Sequence, residues 1–200
     1  MTRAARTSKR ALVQVAVLAA AGHLLLGCQS LPDRSTRDRL DPQTGVTITT
    51  AEDVLVFART EGRYSRSARD YVYLGPVALN RQGRREYFLW VGVASTLDRG
   101  YLAPETGVPE ALQLTLAGEP MEFHLQPWEQ IAPGLSGSPS YRTPVEIRRE
   151  LGARVTRDQL GLLERARPDS VRTADDRGAT KLFEFWQGEV HWTALLALGD

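Results

Sequence analysis

The sequence predicts an α+β domain, mainly antiparallel β in a sandwich-like arrangement, with two short C-terminal helices. Three observations predict it. Short runs rich in β-branched and aromatic residues recur from Val46 onward, divided by polar or Gly/Pro-containing connections. Two pairs of these runs flank connections short enough for hairpins, which implies antiparallel pairing. Helical signatures gather only in the last quarter of the chain, so strands come first and helices late.

Taken in order, residues 46–50 (VTITT) and 54–59 (VLVFAR) are β-branched runs separated by the polar Ala51-Glu52-Asp53. A polar loop follows over 60–70. Residues 71–80 (YVYLGPVALN) and 85–96 (REYFLWVGVAST) then form a hairpin around Arg81-Gln82-Gly83-Arg84. Pro76 has no N–H to give a ladder, which places the first of these strands at an edge or breaks it with a bulge. Residues 111–117 (ALQLTLA) and 121–126 (MEFHLQ) alternate cleanly around Gly118-Glu119-Pro120, a second hairpin. On the latter run Met121, Phe123 and Leu125 face the core, while Glu122, His124 and Gln126 face solvent.

The stretch 127–144, with PGLSGSP at its centre, reads as a long exposed loop of the kind that often carries function. Residues 141–147 return as a strand. Thr156 followed by Gln159 is a capping box, Leu160, Leu162, Leu163 and Ala166 give the helix its apolar side, and Pro168 ends it. Residues 182–187 (LFEFWQ) read as a last strand and 189–198 (EVHWTALLAL) as a terminal helix. No internal repeat is present.

Charge and cysteine content narrow the function classes. Arg3, Arg6, Lys9 and Arg10 precede the first apolar segment with no acid among them; without them 21 basic residues face 24 acidic ones. A slightly acidic chain with no basic block lacks the footprint of a nucleic-acid binder. Cys28 is the single cysteine, so no intramolecular disulfide can form and stability must come from packing. From Val46 to the C-terminus ~150 residues remain, enough for a core without staples or a structural metal.

The first 28 residues carry the sharpest motif. A basic head (1–10) precedes an apolar stretch (11–26, ALVQVAVLAAAGHLLL) that at ~1.5 Å per residue falls short of a ~30 Å hydrocarbon core, as export segments do. It ends in Leu25-Leu26-Gly27-Cys28, which resembles the lipobox of bacterial lipoproteins. The resemblance implies a thioether-linked diacylglyceryl group on Cys28, cleavage after Gly27, and fatty acylation, palmitate for example, of the new amino group. Two or more acyl chains make attachment stable where one is marginal. Gln29, not Asp, follows the cysteine, which by the enteric sorting rule resembles an outer-membrane lipoprotein facing the periplasm. The chain thus divides into a signal peptide (1–27), a lipidated tether rich in charge, Pro and Ser (28–45), and one β-rich domain (46–200).

Catalytic patterns are poorly matched. Gly134-Leu135-Ser136-Gly137-Ser138 falls short of a nucleophile elbow, since Ser138 stands where glycine is needed and no strand and helix flank it. A base for Ser136 would have to be His124 or His191, the histidines left after cleavage. Two histidines and no further cysteine make no zinc signature. Asp169, Asp175 and Asp176, mixed with Arg172 and Arg177, read as a solvated turn and lack the order of a calcium loop. No phosphate-binding or dinucleotide loop is present, so no cofactor is expected. Most aromatics pair by strand face, Tyr71 with Tyr73 and Phe88 with Trp90, as packing residues do. Trp128, at the mouth of the long loop, either anchors a ligand or partner or covers an edge of the core.

The expected function is that of a membrane-anchored envelope lipoprotein, a non-enzymatic binding or assembly-accessory module whose partner is a protein or another envelope component. Trp128 and Ser136 are the candidate contact residues and Cys28 the lipidation site; no catalytic or metal residue is assigned. Two alternatives stand: a cell-envelope hydrolase using Ser136 or paired carboxylates with His124, and a carrier of an apolar ligand.

Overall fold

The computed structural model describes residues 35–60, 67–97, 108–116, 118–139 and 141–197. The expected signal peptide and its Cys28 lie outside them. Along the described residues run β1 (Thr36–Leu40), β2 (Thr47–Ala51), β3 (Leu55–Thr60), β4 (Arg69–Arg81), β5 (Arg84–Ser95), β6 (Pro109–Leu116), β7 (Glu119–His124) and β8 (Gln126–Pro127). The short helix α1 (Trp128–Ile131) follows, then β9 (Ile147–Val155), α2 (Arg157–Arg165), β10 (Ser170–Asp175), β11 (Thr180–Gln187) and α3 (Thr193–Ala197).

Every strand pairing is antiparallel, and the order β7-β6-β10-β11-β3-β4-β5-β9-β8 makes one nearly closed, barrel-like sheet. Closure is made by a single run, residues 119–127. Its first part pairs with β6, and past Leu125, whose N–H still reaches Glu110 O at 2.7 Å, Gln126 and Pro127 pair with Gly152 and Leu151 of β9. The mainly antiparallel β class and the late helices agree with the sequence, but the sheet wraps on itself instead of forming two facing layers. Alternation and hairpin signals are the same for a sandwich and a barrel; strand order decides between them, and strand order depends on contacts distant in sequence.

β4 explains how one sheet carries two cores. Its first half pairs with β3 (Leu55 opposite Leu74) and its second half with β2 (Thr50 opposite Val77), while β5 runs along its whole other side. The strand is therefore central. Pro76 pairs with Leu89 of β5 on one side, and on the other it falls in the gap between β2 and β3, where no N–H is called for. The near-continuous apolar runs of β4 and β5 reflect burial on both faces. Inside the barrel lie Leu55, Phe57, Val72, Leu74, Leu89, Val91, Leu112, Leu114, Phe123, Leu151, Val171 and Phe183, joined by Leu160 and Leu163 of α2 and by Trp192 and Leu195 at the chain end. Outside it Ile48, Val56, Tyr73, Val77, Leu79, Phe88 and Trp90 form a second cluster, covered by Trp128, Ile131, Tyr141 and Val145. Fully burying one such large side chain is worth ~1.5–3 kcal/mol, so the cover is held by several.

The structure corrects several local expectations. The stretch 28–45 is not all tether: β1 lies within it, pairs with β2 from Thr36 opposite Ala51 to Leu40 opposite Thr47, and continues into a tight turn at the buried Asp41. Residues 141–145 lie along the outer cluster without strand pairing, and the returning strand is β9. The segment around Arg172 is β10, which pairs with both β6 and β11; only Asp176 and Arg177 occupy the turn after it. The terminal helix starts at Thr193, where Glu164 of α2 accepts hydrogen bonds from Trp192 N at 3.1 Å and from the Thr193 hydroxyl, satisfying its N-terminus from outside. The capping box of α2 is as expected, Thr156 N bonding Gln159 Oε1 at 2.8 Å and Gln159 N bonding Thr156 Oγ1 at 3.1 Å.

Candidate functional site

The long segment 127–144 is the natural place to look for a site, and most of it is packed. Trp128 is 3% exposed. Its ring meets Phe88 edge-on, centroids 5.8 Å apart, and lies over Gly152, where a Cβ would come within 3.0 Å of it. Tyr141 sits against Trp90, centroids 4.9 Å apart, over a matching space at Gly75, and its hydroxyl donates to Pro76 O. Burial of that ring raises the Tyr141 pKa well above its ordinary value. Trp128 therefore closes the edge of the outer core.

Ser136 is clasped by Asp41. The carboxylate oxygen Oδ2 of Asp41 accepts both Ser136 N at 2.6 Å and Ser136 Oγ at 2.7 Å, while Oδ1 accepts Gln43 N and Thr44 N, each at 3.0 Å. Arg39 adds a bond from Nη2 to Ser138 O at 3.1 Å. Asp41 is 1% exposed, and the backbone N–H of Ser136, then its hydroxyl, then those of Thr44 and Gln43 hold its carboxyl far below the usual carboxylate range against the opposing effect of burial. A carboxylate held so firmly in its ionised form is a weak base, so the hydrogen bond it accepts from the Ser136 hydroxyl fixes that group in place without taking its proton. His124 stands exposed on β7, and His191 Nε2 pairs with Glu189 Oε2 at 2.7 Å on the surface; neither is a partner of Ser136. The clasp ties the β1–β2 turn to the cover of the outer core.

The barrel wall has a second outer face, formed by β7, β6, β10 and β11, which the 127–144 segment does not seal. On β11 the inward Phe183 is buried, while Leu182 and Trp186 on the outward side are each 49% exposed with Glu184 between them. The Arg69 guanidinium lies 4.2 Å from the centroid of the Trp186 ring. Arg172 of β10 stands opposite Leu182. Period-two alternation of LFEFWQ already sets these three residues on one side, so the signal for this face was present in the sequence. Asp41 also had one, since Asp-Pro-Gln-Thr-Gly at 41–45 is a composition suited to an Asx turn.

Among the described residues, no group of three or more His, Cys, Asp or Glu is placed to hold a metal ion, and no helix is long and apolar enough to cross a membrane. Compared with family models, curated proteins and solved structures, the chain matches none.

Proposed function

We propose that this chain is a lipid-anchored envelope lipoprotein, held at the outer membrane on the periplasmic side, whose barrel domain works by binding a neighbouring envelope component and not by catalysis. The anchor is supported by the basic head, apolar stretch and Leu25-Leu26-Gly27-Cys28 in register. For the domain, one observation carries the reading: its own chain seals the outer face of β2 to β5, whereas the β10–β11 face keeps Leu182 and Trp186 half exposed. Exposed aromatics beside a guanidinium are common contact residues, and tethering raises the effective concentration of neighbours in the same surface. The Asp41–Ser136 clasp supports the non-enzymatic half.

The test has two parts. Cys28→Ser should abolish fatty-acid labelling and release or stall the chain; labelling that persists sinks the anchor. A photo-crosslinking residue at position 182 should give adducts with an envelope component, polypeptide or lipid, in intact cells, while one at the exposed Glu146 of the cover should not. Equal yields at the two positions would overturn the binding face.

A further inference from the structure

We infer that the component met by the β11 face is the membrane itself: Trp186 and Leu182, with Arg69, seat on the headgroup layer of the bilayer that holds Cys28. The inference rests on the lipid anchor proposed above. Its first support is the number of residues between the proposed anchor and the sheet. With β1 starting at Thr36 and Ser35 bonded to the sheet, only the seven residue steps from Cys28 to Ser35 separate lipid from barrel, ~25 Å at ~3.3–3.6 Å per residue. A domain of ~165 residues has a radius of gyration of ~15 Å and is thus wider than that tether is long. The side of the barrel where the tether leaves must therefore lie close to the lipid.

The second support is where the tether leaves. Ser35 O accepts Glu52 N at 2.9 Å, in the short link between β2 and β3. Two residues on, Val54 presses its backbone against Gly188, where a Cβ would collide with Val54 O. Gly188 is two residues from Trp186. The exit point and the exposed tryptophan thus share one end of β11.

The third support is chemistry. An indole half in water, a leucine beside it and a guanidinium stacked on the ring are the groups that partition to the boundary of headgroups and acyl chains, the cation meeting phosphate and the ring meeting glycerol and upper methylenes. Among the described residues the outward charges of this face include Arg69, Arg172, Glu184 and, past Gln113 in the row of Arg172, Glu122, two positive against two negative, so the contact rests on the ring, the leucine and the stacked guanidinium and not on net charge.

The other three tryptophans, Trp90, Trp128 and Trp192, are buried, so Trp186 reports on this face alone. The experiment is tryptophan emission of the acylated full chain in vesicles of phosphatidylethanolamine and phosphatidylglycerol, with and without lipids brominated near the headgroup. Acylation is checked by intact mass. The Trp186 emission, taken as the difference between the native chain and Trp186→Phe, should fall about twofold or more with brominated lipid. Emission that stays constant while the acylated chain remains vesicle-bound overturns the inference and leaves the anchor standing. If intact mass shows no acyl group, the anchor reading falls by itself, and the unacylated chain at millimolar lipid decides docking: quenching through Trp186 upholds it and its absence overturns it.

Discussion

Gly75→Ala drives a methyl group into the ring of Tyr141. The added Cβ would stand 2.5 Å from Cζ and 2.7 Å from both Cε2 and the hydroxyl oxygen, about 1 Å inside ordinary carbon contact. The ring has little room to retreat, because Trp90 packs beside it and its hydroxyl is bonded to Pro76 O. Overpacking of this kind costs about 1–3 kcal/mol and loss of the hydrogen bond about 1 kcal/mol. Gly75 is not among the glycines with positive φ, so alanine is conformationally allowed and recovers roughly 0.4–1 kcal/mol through the unfolded chain. The net is a destabilisation of about 2–3 kcal/mol, or roughly 5–10 °C in Tm for a domain of this size. Urea and thermal unfolding of the chain measure it. Tyr141→Ala alone should cost about 3 kcal/mol, but adding Gly75→Ala to it should be nearly neutral, a coupling of about 2–3 kcal/mol. Equal costs of Gly75→Ala in the two backgrounds would refute the steric reasoning.

Three more outcomes follow from the same geometry. The Asp41 carboxyl is held below its unfolded value of about 3.9, so its contribution should be complete above about pH 5 and decay as pH falls through the unfolded value toward the folded one; Asp41→Asn should flatten that acid slope in unfolding midpoints, and an unchanged slope would show that the clasp is not responsible. Trp128→Ala should cost about 3–5 kcal/mol in denaturant unfolding, as expected of a buried ring between Phe88 and Gly152, and a loss below about 1 kcal/mol would return this residue to the surface. Thr156→Ala should cost about 1 kcal/mol by removing the cap of α2, and Thr156→Ser should recover most of it; a Ser variant as weak as Ala would mean that the hydroxyl is not the cap.

Strand existence was legible wherever one face is dry and the other wet. Residues 121–126 alternate as their letters do, with Phe123 and Leu125 buried and Glu122, His124 and Gln126 exposed. The capping box of α2 and the turn at Gln82-Gly83, with φ of 54° and 90°, were legible because their chemistry is local. β1 was not, because TRDRL has few apolar side chains and is held by backbone bonds to β2 and by the Asp41 turn. β10 was hidden in the same way: Ser170, Arg172 and Ala174 face outward, and the two inward residues, Val171 and Thr173, are too few to show a period. In the candidate site, Ser136 and Trp128 were found by residue type, but their partners Asp41, Phe88 and Gly152 are 24 to 95 positions away, and only the folded sheet brings them together.

The switch of partners at Leu125 also bears on how copies of the molecule treat one another. The wall returns to its own beginning through only two residue pairs, Gln126 with Gly152 and Pro127 with Leu151, so among the described residues the far side of β7, much of β9 and the outer rim of β1 have no strand beside them; of these the rim of β1 is the most heavily charged. That rim is five residues long and carries Arg37, Asp38 and Arg39 in succession, a stretch on which a second chain would have to stack like charges to add a strand. On a crowded surface, where a bare sheet margin can seed fibrous stacking, that rim is thereby a poor template.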